Sequence, residues 1–416
     1  MSNVDYRITK LACYSSYFTM STIFCLPPLL FVTFSETYGI SWTLLGSLVL
    51  INFVTQMIVD LVFTMFSKHF NMPKVIKFMP IITSVGLFVF ALVPTLFPQH
   101  AYFGLALGTV IFSISAGLSE VFLSPTIAAI PSDNPQREMS LLHSLYAFGI
   151  LTIIVVSTLA LRIFGTHNWM YITMVLALLP IVTSVLFMCS PFPKMDKGEP
   201  DKKDFEGTKK RSFGLFLCFM CIFFGACAEC VMTAWISGFM ESVLYIDKTV
   251  GDILGMAMFA VLLGFARILY AKFGKNIMRV LFFGMLGAAV CYITAGLSSN
   301  VAVAFAACII TGFVTAMLWP GSLIMMEENV PNVGVAAYAL MAAGGDMGAS
   351  VAPQLLGVVV DEVSVSDFAI KLGNTLNLTP EQIGMKAGML VSAIFPILGA
   401  VLVLYIIRYF KKVNNK

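Results

Sequence analysis

Apolar runs of about 20 residues recur along the whole chain, separated by short polar breaks. About 20 residues is the length a helix needs to cross roughly 30 Å of hydrocarbon. Backbone polar groups in lipid must be satisfied within their own segment, so runs of this length predict helices. The spans read as approximately 11–34, 41–66, 74–96, 101–130, 139–163, 168–190, 212–239, 249–271, 277–297, 300–326, 334–360 and 387–410. The first follows Arg7 and Lys10, is too long for a signal-peptide core and lacks an A-x-A-like cleavage site, so it is expected to stay as an uncleaved helix.

Composition agrees with this pattern. The chain is 59% hydrophobic and 11% charged, with a mean hydropathy of +0.91. A soluble domain carries roughly 25% charged residues, so soluble folds are excluded. One strongly polar stretch, Pro193–Arg211, holds seven basic and five acidic residues and is too polar to pack. Six spans precede it and six follow. The expected organisation is a six-helix half over 1–192, a cytoplasmic linker over 193–211 and a second six-helix half over 212–416.

Charge sets the orientation. Of the 25 Lys and Arg residues, all but Arg162, Lys248, Lys371 and Lys386 fall on one side of the alternating loops. The positive-inside rule places that side, with both termini, in the cytoplasm of a multi-pass protein of the cell membrane. The net charge of +3 is this juxtamembrane excess and calls for no nucleic-acid partner. The expected partners are the lipid bilayer and a small-molecule substrate. Cys218, Cys221, Cys227 and Cys230 have the spacing of a zinc site. At about 100° per residue, however, Cys227 lies about 180° round a helix from Cys218, so no metal is expected.

The two halves echo one another. Basic loops follow the second and eighth spans, with Lys68 and Lys74 in one and Lys272, Lys275 and Arg279 in the other. Ser124-Pro125 in the fourth span matches Trp319-Pro320 in the tenth. The fifth and eleventh spans share glycine-punctuated centres around Gly149 and Gly348. Two-half repeats are how many transporters build a midplane site that opens to alternate sides.

On these residues the chain resembles the major facilitator superfamily over essentially its whole length. The loop pattern usual there is G-x-x-x-D-R-x-G-R-R. Ala271-Lys272-Phe273-Gly274-Lys275 follows it in part, while Ser67-Lys68-His69-Phe70-Asn71 departs from it. Within the superfamily the chain is most similar to the fucose–glucose/proton symporter branch. The stretch Gly117-Leu-Ser-Glu120-Val-Phe-Leu-Ser124-Pro125, followed by Leu142-His143-Ser-Leu-Tyr-Ala-Phe148-Gly149, carries that likeness. Glu229-Cys-Val-Met-Thr-Ala-Trp235 and Gly344-Gly-Asp346-Met-Gly348 are similar to uncharacterised permeases of Gram-positive anaerobes. The branch pairs its glutamate with an aspartate in the first span; here residues 11–34 contain no acid. The resemblance implies an all-α fold of twelve helices in two pseudo-symmetric halves, working as a monomer by alternating access.

Ionisable groups inside a span cost at least about 2.5–3.5 kcal/mol on insertion scales and therefore tend to face the bundle interior. Glu120, Glu229, Asp346 and Asp60 are such acids. Ser113, Gly117, Glu120 and Ser124 share about 60° of one helix face. A carboxyl group in low dielectric can exchange a proton near neutral pH, so Glu120 is the first candidate for proton coupling. Glu229 holds the matching position in the other half. Asp346 sits on a small-residue face that suits close helix packing, and is open between coupling and interhelical bonding. His143 is open between proton relay and an ordinary hydrogen bond. Asn52, Gln56 and Asp60 repeat at i, i+4 and i+8, a stripe suited to a structural or gating network. Asn52, Gln56, Ser113 and Ser124 are also substrate-cavity candidates, while Tyr14, Tyr17, Ser21, Thr233, Trp235 and Trp319 could line such a cavity or simply pack. Lys68, Lys272 and Arg267 fall to gating or structure. Pro27-Pro28, Pro125, Pro320 and Pro353 are expected to kink or interrupt their helices.

Arg267 is placed near a cytoplasmic end, so no Lys or Arg is expected deep within a span and the substrate is expected to be neutral or cationic. No P-loop is present. No nucleophile–base or metal cluster converges, so no enzyme is expected. The reading is a proton-coupled transporter of a small neutral, sugar-like solute, needing no cofactor beyond a proton gradient. The alternative is an antiporter of drugs or lipophilic cations against protons.

Overall fold

The computed structural model describes residues 5–66, 71–132, 135–193, 209–330 and 335–414, and among them every regular element is helical. The chain divides into two compact units, Met1–Ile40 with Ile51–Gly198 and Ser41–Leu50 with Glu199–Lys416. Each of the twelve expected spans has a helical counterpart. Among the described residues, nine helices are long and apolar enough to cross a membrane, or ten when the bent first pair is taken as one span.

The first unit opens with α1 (Arg7–Leu29) and α2 (Phe31–Tyr38), bent by 48°. The bend follows Pro27-Pro28, where two ring nitrogens remove helix donors. Gly39, at φ 64°, ends α2 in the left-handed region that glycine adopts without strain. Next come α3 (Trp42–Phe66), α4 (Met72–Leu96), α5 (Ala101–Ala129) and α6 (Pro135–Phe164). The sixth span is split into α7 (Trp169–Leu176) and α8 (Leu178–Met188). Glycines let α4 and α5 meet closely: a Cβ on Gly86 would lie 2.5 Å from the Phe112 nitrogen. Thr83 donates to Ser115 at 2.7 Å, and Ser115 donates to the Met79 carbonyl at 2.6 Å, which fixes their register. Cys13, Ile76, Met79, Phe122 and Leu123 form the core beneath.

The second unit is built on α9 (Lys209–Ser242) and α15 (Val335–Ser364). A Cβ on Gly348 would meet the Phe223 carbonyl, so these two helices touch backbone to backbone. The eighth span starts with α10 (Lys248–Val250), passes through a π-helical stretch, Gly251–Ala257, and continues as α11 (Met258–Phe273). Then follow α12 (Ile277–Leu297), α13 (Val301–Thr315) and α14 (Leu318–Asn329). The short α16 (Asp367–Leu376) was not among the expected elements. The last span is α17 (Pro380–Ser392) with α18 (Ile394–Asn414). It begins at a capping box of Thr379 and Gln382, about two turns earlier than its hydropathy suggests. The start of α3 belongs to this unit: Asp361 accepts from the Trp42 and Thr43 nitrogens at 3.1 and 2.6 Å.

The proline expectation divides. The chain breaks after Pro27-Pro28 and just before Pro320, but α5 and α15 run unbroken through Pro125 and Pro353.

Candidate functional site

In the first unit the polar stripe of α3 meets the polar stripe of α5. Ser113 donates to the Asn52 amide oxygen at 2.6 Å, and Gln56 donates to the same oxygen at 3.0 Å. All three side chains are buried. One turn further along α3, a carboxylate oxygen of Asp60 comes within 4.8 Å of one from Glu120. Asp60 Oδ1 is buried and accepts no hydrogen bond among the described residues. Glu120 is exposed, yet it lies about 100° round α5 from the exposed apolar stripe of Phe103, Leu107 and Val110. It therefore sits on the polar side of its helix, away from the lipid-facing stripe. Gly117 allows the approach, because a Cβ there would lie 3.0 Å from Val59.

On α1, Tyr17 is buried and Tyr14 half-buried in the first unit's core. Ser21 is buried and turns its hydroxyl back to the Phe18 carbonyl at 2.6 Å, with Gly149 of α6 against it. Lys68 lies outside the described residues, as do the side chains of Ser124 and His143.

In the second unit Glu229 has a cationic neighbour. Arg267 of α11 reaches its Oε1 at 3.4 Å, and the Arg267 Nε donates to the Ala316 carbonyl at 3.0 Å. Ala316 sits at the break between α13 and α14, where helix ends leave carbonyls open to such a donor. Glu229 Oε2 is buried and has no hydrogen-bond partner among the described residues. Thr233 spends its hydroxyl on the Glu229 carbonyl, 2.9 Å away on the same helix. Asp346 is buried on α15, and Cys230 interacts electrostatically with Glu229, Arg267 and Asp346, so these groups form one neighbourhood. The Trp319 ring lies over Gly345, where a Cβ would collide with it.

This corrects one expectation. Arg267 is not confined to a cytoplasmic end: its long side chain carries a guanidinium to the half-buried Glu229 of α9. The charge argument for a neutral or cationic substrate therefore loses its premise. Trp235 is buried, donates its indole N–H to the Pro353 carbonyl at 3.1 Å and packs on Trp42 with ring centroids 5.6 Å apart. Lys272 is exposed, its ammonium 5.2 Å from the centre of the Phe273 ring. The four spaced cysteines of α9 are free thiols.

The sequence reading missed a second charged cluster. Asp252, in the π-helical stretch, is buried and accepts a hydrogen bond from Ser237. Lys248 lies 3.5 Å from Asp252 and 3.4 Å from Glu241. Lys248 and Asp252 are four apart, which was readable as a pair. The π turn, and the reach across to Ser237 of α9, carried no signal.

Several solved structures share this architecture. A bacterial homologue of the human lysosomal transporter Spinster aligns with a TM-score of 0.77 at 14% identity, covering 98% of each chain. A D-xylose–proton symporter gives 0.74 at 14% identity, covering 94% of this chain and 97% of its own. A point mutant of the nucleoside transporter NupG gives 0.71 at 13% identity, covering 95% of this chain and 99% of its own. At these identities the likeness is one of fold. No curated protein matches the chain by sequence. Residues 12–353 match the family model described as Major Facilitator Superfamily. With that match spanning most of its length, the chain belongs to the Major Facilitator Superfamily: it is a multi-pass membrane transporter of small molecules, not an enzyme.

Proposed function

We propose that the protein is a secondary active transporter of a small sugar-like solute, coupled to protons and working by alternating access. The observation that carries this is the Asp60–Glu120 pair, two carboxylates within 4.8 Å of each other. Two carboxylates so close hold one shared proton more readily than two charges. A proton carrier needs such a group, and here it stands one turn from the amide-and-hydroxyl network of Asn52, Gln56 and Ser113. Those donors and acceptors suit hydroxyl-rich solutes better than lipophilic cations. The likeness to the fucose–glucose branch supports the sugar class. The protein is read as a monomer of the plasma membrane with both termini in the cytoplasm.

The test is proton flux into proteoliposomes, read with an internal pH dye, for wild type and Glu120→Gln. Monosaccharides, polyols and lipophilic cations are added in turn. Solute-induced acidification that disappears in the variant supports the reading. Alkalinisation on adding a cation replaces it with the antiporter. Undiminished flux in the variant removes Glu120 from the coupling role.

A further inference from the structure

We infer that Arg267 is a receiving site for a carboxylate on the transported solute, and that Glu229 holds the guanidinium only while the site is empty. This rests on the transporter reading, but on different residues, and it narrows the substrate class to solutes bearing one carboxylate. Three observations lead there.

First, the guanidinium is anchored but not saturated. It has five N–H donors. Nε is fixed on the Ala316 carbonyl, and one Nη2 contact goes to Glu229 at 3.4 Å, a long approach for a charge-assisted bond. The Nη1 group and the rest of Nη2 make no other hydrogen bond among the described residues. These form the terminal fork that binds a carboxylate through two parallel bonds.

Second, the site is accessible to a solute. The Arg267 side chain is 39% exposed while Glu229 is 16% exposed. Arg267 also lies about 140° round α11 from the exposed apolar residues Met258, Val261, Phe265 and Ile268, so its open edge is not on their stripe.

Third, Glu229 is an incomplete partner. Its Oε2 is buried with no hydrogen bond among the described residues, which costs free energy that a better arrangement recovers.

The exchange balances. A proton from water adds to the Glu229 carboxylate, the Arg267 contact to it is released, and the solute carboxylate takes its place on the guanidinium. One proton and one negative charge enter together, so the buried charge is unchanged. The charged and titratable groups around Glu229 are Arg267 from α11, Cys230 from α9 and Asp346 from α15. Neither Cys230 nor Asp346 replaces Glu229 as the group that directly contacts the guanidinium.

The test is ligand binding to the purified full chain, followed by thermal unfolding at pH 5.5 and 7.5. The probes are glucuronate, lactate and glucose: ring with carboxylate, carboxylate without ring, and ring alone. The expected result is that glucuronate or lactate binds at least about tenfold more tightly than glucose, and more tightly at pH 5.5. Glucuronate alone marks a sugar acid, and lactate equal to it marks a simple carboxylate. Arg267→Gln should abolish carboxylate binding, while Glu229→Gln should keep it and lose its pH dependence. Equal binding of glucose, no binding of either carboxylate, or unchanged binding in Arg267→Gln would overturn the inference. If Arg267→Gln does not fold, Glu229→Gln decides, since retained pH dependence overturns the exchange. Undiminished proton flux in Glu120→Gln strikes the coupling reading and leaves this one standing.

Discussion

Each unit carries a glutamate on a long helix, but the two give it opposite company. In the first unit, Glu120 stands beside Asp60, acid against acid. In the second, Glu229 stands beside Arg267, acid against base. The neighbour decides the chemistry. A second acid makes the loss or gain of one proton the natural event, because repulsion is relieved by protonation. A base makes exchange of partners the natural event, because the guanidinium keeps its charge and must be offered another anion. The same acid on two helices is thus set in opposite company.

Four single substitutions and one double variant break or sharpen that contrast. The largest effect is expected from Gly348→Leu, whose side chain would drive α15 off the Phe223 carbonyl of α9. A loss above about 3 kcal/mol, seen as failure to recover monodisperse protein, is expected from overpacking at a backbone contact. Arg267→Gln should lower stability by about 1–3 kcal/mol, less than for a fully buried pair because the arginine is 39% exposed. Thermal unfolding should show most of that loss recovered when Glu229→Gln is added, since the double variant strands no charge. Ser113→Ala removes one of two donors to the buried Asn52 oxygen and should cost about 1 kcal/mol in the same assay. Thr233→Val should change stability by less than about 0.5 kcal/mol, its hydroxyl bonding only its own helix. A large Thr233 effect would mean the hydroxyl serves the Glu229 site and not the helix.

How far the sequence could be read depended on the distance over which each feature is decided. Span length and hydropathy are local, and the twelve expected spans have helical counterparts. Asn52 and Gln56, four apart on one face, bond as their spacing suggests. Asp60, one turn further, was legible as part of the stripe, but its approach to Glu120 was not. That approach depends on how α3 packs on α5 at Gly117. The Arg267–Glu229 pair joins residues 38 apart on separate helices, and only the placement of α11 against α9 brings them together. Helix depth alone misplaced the guanidinium, because depth was counted at the backbone and the side chain reaches well beyond it. Trp235 shows the reverse. Its aromatic character left cavity wall and packing open, and in the structure its N–H donates to the Pro353 carbonyl while its ring lies against Trp42.

The π-helical stretch Gly251–Ala257 has a consequence for how this chain tolerates change in length. A π turn is an α-helix carrying one extra residue, so deleting a single residue there would leave an ordinary helix of sound hydrogen bonding. It would also turn everything on the amino-terminal side by about 100°, carrying Asp252 and Lys248 out of phase with Ser237. The helix as a helix would survive and the ion cluster would not. A relative lacking the extra residue would present the positions of Asp252 and Lys248 on a different face from Ser237.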